Sequence, residues 1–491
     1  MIMNRMILCG KGVFYMLKKT IALFLSILIA FTAACAVRRS EPKEQPSKVQ
    51  NELEKPERKE GREQPKEQPK REDKLSKSDQ EAVEENINGL DLEEDLEITN
   101  EAEAGQMIQS RVGLTPIEVE KMSRQEAVTG SVTVLQEFRT KVPDEIQVDL
   151  QYDKYPLSYD YLLVTAEGKV DILDKPLKSA SAVCQGMNGE KLTLHQKVSG
   201  EAIGDSNIWY KVSCKDNGEV KTGYIHSSNG VPRKFQFDKM LEAVRKLERE
   251  VKAGDLNFIS NYKNANGAPP SKGDRATDEY GYRIYQSAPG YEKADTGSDF
   301  RYLPDGILLR ILDESGDFYR VKVPSFEGEY YVPKKYIDPE DTLDTLSHVI
   351  VVDRSQQNQA TFELSPQGDV RMISYTLATT GLQGDLSFAT PLGYYKAIEK
   401  KERFQYLKDG SSEIAGYAPW AIRFTGGAYV HGVPVAYEEE DGKQVDPGPI
   451  EYLHTIGTFP RSHMCVRNYT SHAQFLYDWM DPKVGAVIVI E

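Results

Sequence analysis

Near the start of the chain an apolar run, Ile21 to Phe31 (IALFLSILIAF), follows a basic patch at Lys18-Lys19 and precedes the small residues Thr32-Ala33-Ala34 and then Cys35. A basic patch, a short apolar core and a small-residue site in that order predict a secretory signal over 1–35, with Met16 as the expected initiator. The run is too short for a comfortable transmembrane helix. Large apolar residues then almost vanish. The first part of residues 36–110 mixes Lys, Arg, Glu, Gln and Pro and repeats Glu-Gln-Pro-Lys, and the later part, Glu81 to Glu103, is acidic with no basic residue. Such a segment buries too little surface to offset the entropy of ordering, which predicts a disordered charged stalk. A flexible coil of this length reaches roughly 45–50 Å.

From Tyr152 the pattern changes to short strand-like stretches separated by turn residues: Leu162-Leu163-Val164, Lys191-Leu192-Thr193-Leu194, Trp209-Tyr210-Lys211-Val212 and Gly223-Tyr224-Ile225. A second set follows, with Ile307-Leu308-Leu309, Phe318-Tyr319-Arg320-Val321, Tyr330-Tyr331-Val332 and Tyr336-Ile337. WYKVSCKDNGEVKTGYIHSS is echoed by FYRVKVPSFEGEYYVPKKYI, an internal repeat. Both copies resemble the bacterial SH3-like domain of exported wall proteins, over 150–233 and 275–340. That resemblance implies cell-wall binding, with exposed aromatics stacking on glycan or peptide; the alternative is that Trp209, Phe318 and Tyr319 fill the two cores. Between the modules, over 235–260, Met240, Leu241, Val244, Leu247 and Val251 fall at helical spacing, predicting a packing helix or a spacer. Residues 346–491 are again strand-rich, with one helix expected near Ala473–Met480.

Composition narrows the classes. The 491 residues include 61 Lys+Arg and 76 Asp+Glu, a formal charge of −15. That excludes a multi-span membrane protein and gives no basic footprint for nucleic acid. Five cysteines are too few for a disulfide scaffold. Cys35 directly after Ala-Ala is similar to the lipobox of bacterial lipoproteins, which implies lipidation at Cys35 and a membrane-anchored location in the cell envelope; Thr32 stands where that pattern usually has Leu. Cys184 and Cys214 share the first module and are candidates for a disulfide outside the cell. Cys465 is left over, and an unpaired Cys in an exported chain flags reactivity.

Cys465 lies in Ser462-His463-Met464-Cys465-Val466-Arg467, downstream of His431-Gly432. The thiolate is the reactive form of Cys, and nearby His or Arg favours it. A His elsewhere in the chain can take the proton and return it to an amine. A zinc site fits poorly: Cys465 is the sole thiol in this region, and its spacing to His431, His454 and His472 follows no finger pattern. A buried inert Cys is the third reading.

The ordered motifs resemble the L,D-transpeptidase (YkuD-like) catalytic domain of peptidoglycan cross-linking enzymes over essentially all of 346–491. They are the opening strand Val349–Asp353 with Gln356-Gln357, the Thr390-Pro391-Leu392-Gly393 turn, the Phe424–Gly432 strand ending in His-Gly, and the Ser-His-x-Cys-Val-Arg segment. The resemblance implies Cys465 as nucleophile, His431 as base and the Gly432 carbonyl as its orienting group. His463 and Arg467, with Ser462, would shape the site and bind the donor stem, while backbone N–H groups around Met464 and Cys465 stabilise the oxyanion. It implies peptidoglycan stem peptides as donor and acceptor, cross-links between third residues, and no cofactor or metal. Met464 stands where the family has Gly, and the stretch between His431 and Ser462 is longer than usual, its 433–460 insertion being a lid, a specificity element or surface decoration.

The fold expectation is therefore mainly β: two small SH3-like barrels, an intervening helix and a C-terminal L,D-transpeptidase-type β-sandwich behind a disordered stalk. Two alternatives share the sequence features, an L,D-carboxypeptidase using the same site and a non-catalytic wall-binding lipoprotein. A sortase fits less well because Arg467 lies two residues after Cys465 and Ser-His precedes it, and NlpC-type peptidases place Cys before His.

Overall fold

The computed structural model describes residues 113–125, 132–216, 218–272, 276–384, 387–407 and 413–491. All belong to one unit, Asp73–Glu491. The signal, Cys9, Cys35 and the whole of the stalk lie outside the described residues.

The strand His348–Asp353 explains the architecture best. It is apolar at every position from Val349 to Val352 because both of its faces are covered. Val349 and Val351 point into one core with Phe362, Ala486 and Ile488; Ile350 and Val352 point into another with Phe424, Val430 and Val466. The neighbouring parallel strand Gly485–Ile490 splits its side chains in the same way. These two strands lie inside a six-stranded sheet, ordered Gly393–Lys396, Gly485–Ile490, His348–Asp353, Asn358–Leu364, Val370–Leu377 and Ile146–Val148. A second sheet carries Glu399–Leu407, Ile414–Thr425, Ala428–His431 and Val466–Arg467.

The outer face of the first sheet is closed by the helix Phe237–Lys252. Phe237, Met240, Val244, Leu247 and Val251 recur at three- and four-residue spacing, are buried, and join the core of Val349, Val351 and Ile488. Each such side chain contributes about 1.5–3 kcal/mol on burial. The helix is thus a packing element and not a spacer. The catalytic-type region also takes its edge strand, Ile146–Val148, from far upstream, paired parallel with Val370–Met372.

The first module is an eight-stranded sheet that includes Thr133–Glu137 and ends on Gly230–Lys234, with a core of Leu162, Val164, Leu192, Leu194, Tyr210, Val212 and Ile225. The second is a six-stranded sheet from Asn257–Phe258 to Glu329–Pro333. Trp209 and Tyr319 are buried and Phe318 is half-buried, so these aromatics serve mainly as core. Neither module is an independent bead. Leu303, Leu309, Val321 and Val332 of the second share a core with Ile350, Phe424 and Val466. The first is tied down by Tyr161, whose hydroxyl donates to Gln356 O (2.9 Å), and by Asn358, which donates to Lys234 O (2.9 Å). Among the described residues no helix is long and apolar enough to cross a membrane.

Candidate active site

Cys465 sits one residue before the short strand Val466–Arg467, which runs parallel to Ala428–His431 with Val430 opposite Val466 and His431 opposite Arg467. Its loop is held from several directions. The Ser462 hydroxyl donates to Cys465 O (2.6 Å). Thr390 Oγ1 accepts from Gly381 N (2.8 Å) and donates to Met464 O (2.8 Å), so the Thr-Pro turn is bolted to the residue before the thiol. Phe388 N donates to His463 O (2.7 Å), and Thr379 exchanges backbone bonds with Arg467. Gly381 permits this approach: a Cβ there would lie 2.8 Å from Met464 Cα and 2.3 Å from Phe388 O. Cys465 itself is 2 % exposed, packed with Phe404, Ala418, Ala421 and Tyr429, and its thiol faces Gly427 O at 3.8 Å.

His431 is equally enclosed. Its Nδ1 lies 2.6 Å from Gly432 O; a carbonyl only accepts, so Nδ1 carries the hydrogen. Burial pulls the His431 pKa down to about 3, the nearby Arg467 charge pulls the same way, and the Gly432 bond opposes both only partly. The ring is therefore neutral, and Nε2 keeps its lone pair. The Gly432 backbone is wedged in turn: its N–H donates to Pro419 O (2.8 Å), and a Cβ would meet Pro419 Cγ and Thr470 Oγ1 at 3.0 Å. Asn468 N donates to His431 O (2.8 Å), completing the frame.

His431 and Cys465 line one cleft of about 280 Å³ with Ser462, His463 and Arg467. Phe404, Tyr406, Ala418 and Pro434 supply its remaining walls. Five of the residues singled out in the sequence thus meet. Gly432 stands behind His431. Met464 does not enter the cleft; its buried side chain packs in the opposite core with Phe388 and Val466. His454 lies elsewhere, its ring against Gly189 of the first module. His472 is a core residue bonded to Ser374 (3.0 Å) and Asn468 (3.0 Å), and burial lowers its pKa to about 3. Cys184 and Cys214 are far along the fold in the first module, with sulfurs 3.0 Å apart. Local sequence gives no weight to Gly381, Phe404 or Tyr406, which reach the site region only through long-range pairing; the Thr390 turn and the Phe424–Gly432 strand are visible there, but not the bridging role of the Thr390 hydroxyl or the facing of Gly427 O to the thiol.

The 433–460 insertion is fastened down. Lys191 Nζ donates to His454 O (3.0 Å) and Ile456 O (2.6 Å), and Arg233 donates to Thr458 O (3.0 Å). Glu451 accepts from Lys154 and Tyr155 (2.8 Å each), while Asp446 pairs with Arg403 (2.7 Å). The segment is a buttress between the first module and the cleft wall. Among the described residues no group of three or more His, Cys, Asp or Glu is placed to hold a metal ion.

Residues 347–490 match the family model of YkuD, the L,D-transpeptidase catalytic domain. Similar solved structures include an L,D-transpeptidase from Mycobacterium smegmatis (18 % identity, 37 % of this chain and 82 % of that chain, TM-score 0.23). L,D-transpeptidase 3 from Mycobacterium tuberculosis is similar at 17 % identity over 42 % and 79 % of the two chains (TM-score 0.23). The helical cell shape determining protein of Campylobacter jejuni shares 20 % identity over 30 % and 49 % (TM-score 0.20). No curated protein matches the chain.

Proposed function

We propose that this chain is an exported peptidoglycan L,D-transpeptidase that works through a thioester on Cys465. The observation that carries the reading is the shared cleft, in which the Nδ1–Gly432 bond leaves Nε2 of His431 with its lone pair and Cys465 lines the same walls. The matched catalytic-domain family supports it. In the first half-reaction, His431 Nε2 takes the thiol proton as Sγ attacks the carbonyl carbon of the donor stem's third residue. The carbonyl π pair moves to oxygen and is met by backbone N–H groups around Met464 and Cys465. The tetrahedral intermediate then collapses: the C–N bond to terminal D-Ala breaks, the departing amine takes the proton from His431, and a thioester remains. In the second, an amine from a neighbouring stem attacks the thioester, the C–S bond breaks, and the amine's proton returns through His431 to sulfur. Arg467 and His463, on the cleft wall, bind and orient the donor. If water resolves the thioester instead, the same groups perform L,D-carboxypeptidation.

In this reading Cys35 is lipidated and the stalk tethers the head to the membrane. The two modules, whose sequences resemble SH3-like domains, hold the catalytic region near the wall. The test is release of D-Ala from a tetrapeptide stem by the purified chain, with loss of release in Cys465→Ala; equal release by both proteins would overturn the assignment.

A further inference from the structure

The hairpin that carries His431 turns on Gly426 and Gly427, between the strands Ile414–Thr425 and Ala428–His431, with Thr425 paired to Ala428. Three of its features bear on the nucleophile. The Gly427 carbonyl at the turn faces Cys465 Sγ (3.8 Å). Tyr429, on the second arm, packs against Cys465. That arm ends on His431. Where the turn sits therefore sets both the surroundings of the thiol and its spacing from the base.

The catalytic region does not hold this turn alone. Asp305, buried just after the strand Phe300–Pro304 of the second β module, reaches across to it. Its Oδ2 accepts from Gly426 N (3.2 Å) and from Arg423 Nη1 (2.6 Å), and its Oδ1 accepts from Asn261 N (2.7 Å). Arg423, also buried, lies on the first arm of the hairpin and donates through Nε to Glu399 (2.7 Å). One carboxylate thus joins the module's own backbone at Asn261, the first arm of the hairpin and the amide at its turn. Charge-assisted bonds of this kind are about twice as strong as neutral ones, and a buried setting strengthens them further. Gly306 permits the approach. Its backbone is left-handed (φ 79°), and a Cβ there would run into Phe424 O. Tyr282 of the same module donates its hydroxyl hydrogen to Leu392 O (2.9 Å), in the turn whose Thr390 holds Met464 O. The second module therefore grips the nucleophile's frame from two sides.

We propose that Asp305 is a positioning residue for Cys465 and His431, which makes the second β module part of the catalytic unit rather than a wall attachment alone. For its effect on turnover the proposal rests on the transpeptidase reading. The carbonyl oxygen of Gly427 carries partial negative charge, so its place beside Sγ favours S–H over S⁻. With the tie at Gly426 broken, the turn moves off and the thiol ionises at lower pH. The arm that ends on His431 moves with it, and attack slows because base and nucleophile lose their spacing.

The test uses the full chain. Asp305→Ala removes all three acceptors and leaves Arg423 with Glu399 as its counter-charge. Should that variant not fold, Asp305→Leu with Arg423→Met takes its place, exchanging the buried pair for apolar groups of similar volume. Tyr302→Phe is the control, since the bonds its buried hydroxyl makes, to Pro270 O (2.7 Å) and Lys272 N (3.0 Å), stay within the second module. Two readouts are taken: the pH midpoint of Cys465 alkylation, followed by peptide mapping, and kcat and KM for D-Ala release from a tetrapeptide stem. In the Asp305 variant the midpoint is expected to fall by about half a pH unit or more, in keeping with the loss of one weak acceptor. Its kcat is expected to fall about tenfold with KM nearly unchanged. Tyr302→Phe is expected to keep the wild-type midpoint. The other titratable and charged groups around the thiol, His431, His463, Arg467 and Tyr406 in the cleft and Tyr429 behind it, are the same in every variant. A wild-type midpoint or kcat in the Asp305 variant, or an equal shift in Tyr302→Phe, overturns the proposal. A shifted midpoint in a chain that no stem peptide acylates would keep the role of Asp305 at the thiol and remove the transpeptidase reading.

Discussion

The imidazole of His431 donates its Nδ1 hydrogen to the carbonyl of the next residue, Gly432, at 2.6 Å. That bond sets the tautomer, and burial keeps the ring neutral, so Nε2 keeps its lone pair in the cleft. Replacing His431 with Ala should lower the acylation rate ~10²–10⁴-fold, the usual worth of a positioned general base. His454→Ala should leave that rate as it was, because His454 packs against Gly189 outside the cleft. In Gly432→Ala the new methyl meets Pro419 and Thr470 at 3.0 Å and shifts the carbonyl that holds the ring. Acylation should slow about tenfold from the misplacement, with kcat affected more than KM. Single-turnover kinetics on the three variants measures this.

The hydroxyl of Thr390 joins Gly381 N to Met464 O. Thr390→Val keeps the shape and leaves a buried donor and acceptor unmatched, at about 1–3 kcal/mol. Gly381→Ala should be worse, since its methyl would sit 2.3 Å from Phe388 O. Denaturant unfolding should show both losses, and alkylation of Cys465 should become faster in each as its loop loosens.

His431 and His472 both have pKa values near 3 in the fold, below the ~6.5 of an exposed His. The unfolded chain therefore binds more protons between these values, and stability is lost as pH falls from about 6.5 toward 3. Each histidine contributes at most about 1.4 kcal/mol per pH unit in that window. His472→Gln, which removes one titrating group from the core, should flatten the fall by that amount. A stability series over this pH range reads it directly.

The sulfurs of Cys184 and Cys214 lie 3.0 Å apart, about 1 Å from bonding distance. We expect a disulfide in chain exposed to an envelope dithiol oxidase, which accepts the two electrons as the thiols lose two protons. Peptide mapping would find the pair joined and two hydrogens lighter, while Cys465 remains a thiol. Closing a loop of 30 residues should add about 3–4 kcal/mol of stability that reduction removes.

How much of this was legible in the chain varies with the range of the interactions. The run Val349–Val352 declares a strand buried on both faces, but nothing in it says that the Phe237–Lys252 helix covers one of them. The helix announces its own apolar stripe through Met240, Val244, Leu247 and Val251, which is a local property; its partner is not. Cys465, His431 and Arg467 were readable because short ordered motifs carry them. Phe404 and Tyr406 reach the cleft, and Gly381 the loop before Cys465, only by long-range pairing, and local sequence holds no trace of that. The repeat marked two β modules yet not the core that the second shares with Ile350 and Phe424. The first module's hold on the insertion through Lys191 and Arg233 was equally silent, because both donate to backbone carbonyls, which every residue offers.

The central claim is that Cys465 becomes acylated. Intact-mass and peptide-mapping spectrometry of the full chain incubated with a tetrapeptide stem tests it most directly. A tripeptide acyl adduct on Cys465 is expected, absent in Cys465→Ser and slow to form in His431→Ala. No adduct on the wild-type chain, under conditions that acylate an established L,D-transpeptidase, or an adduct on another residue, would contradict it.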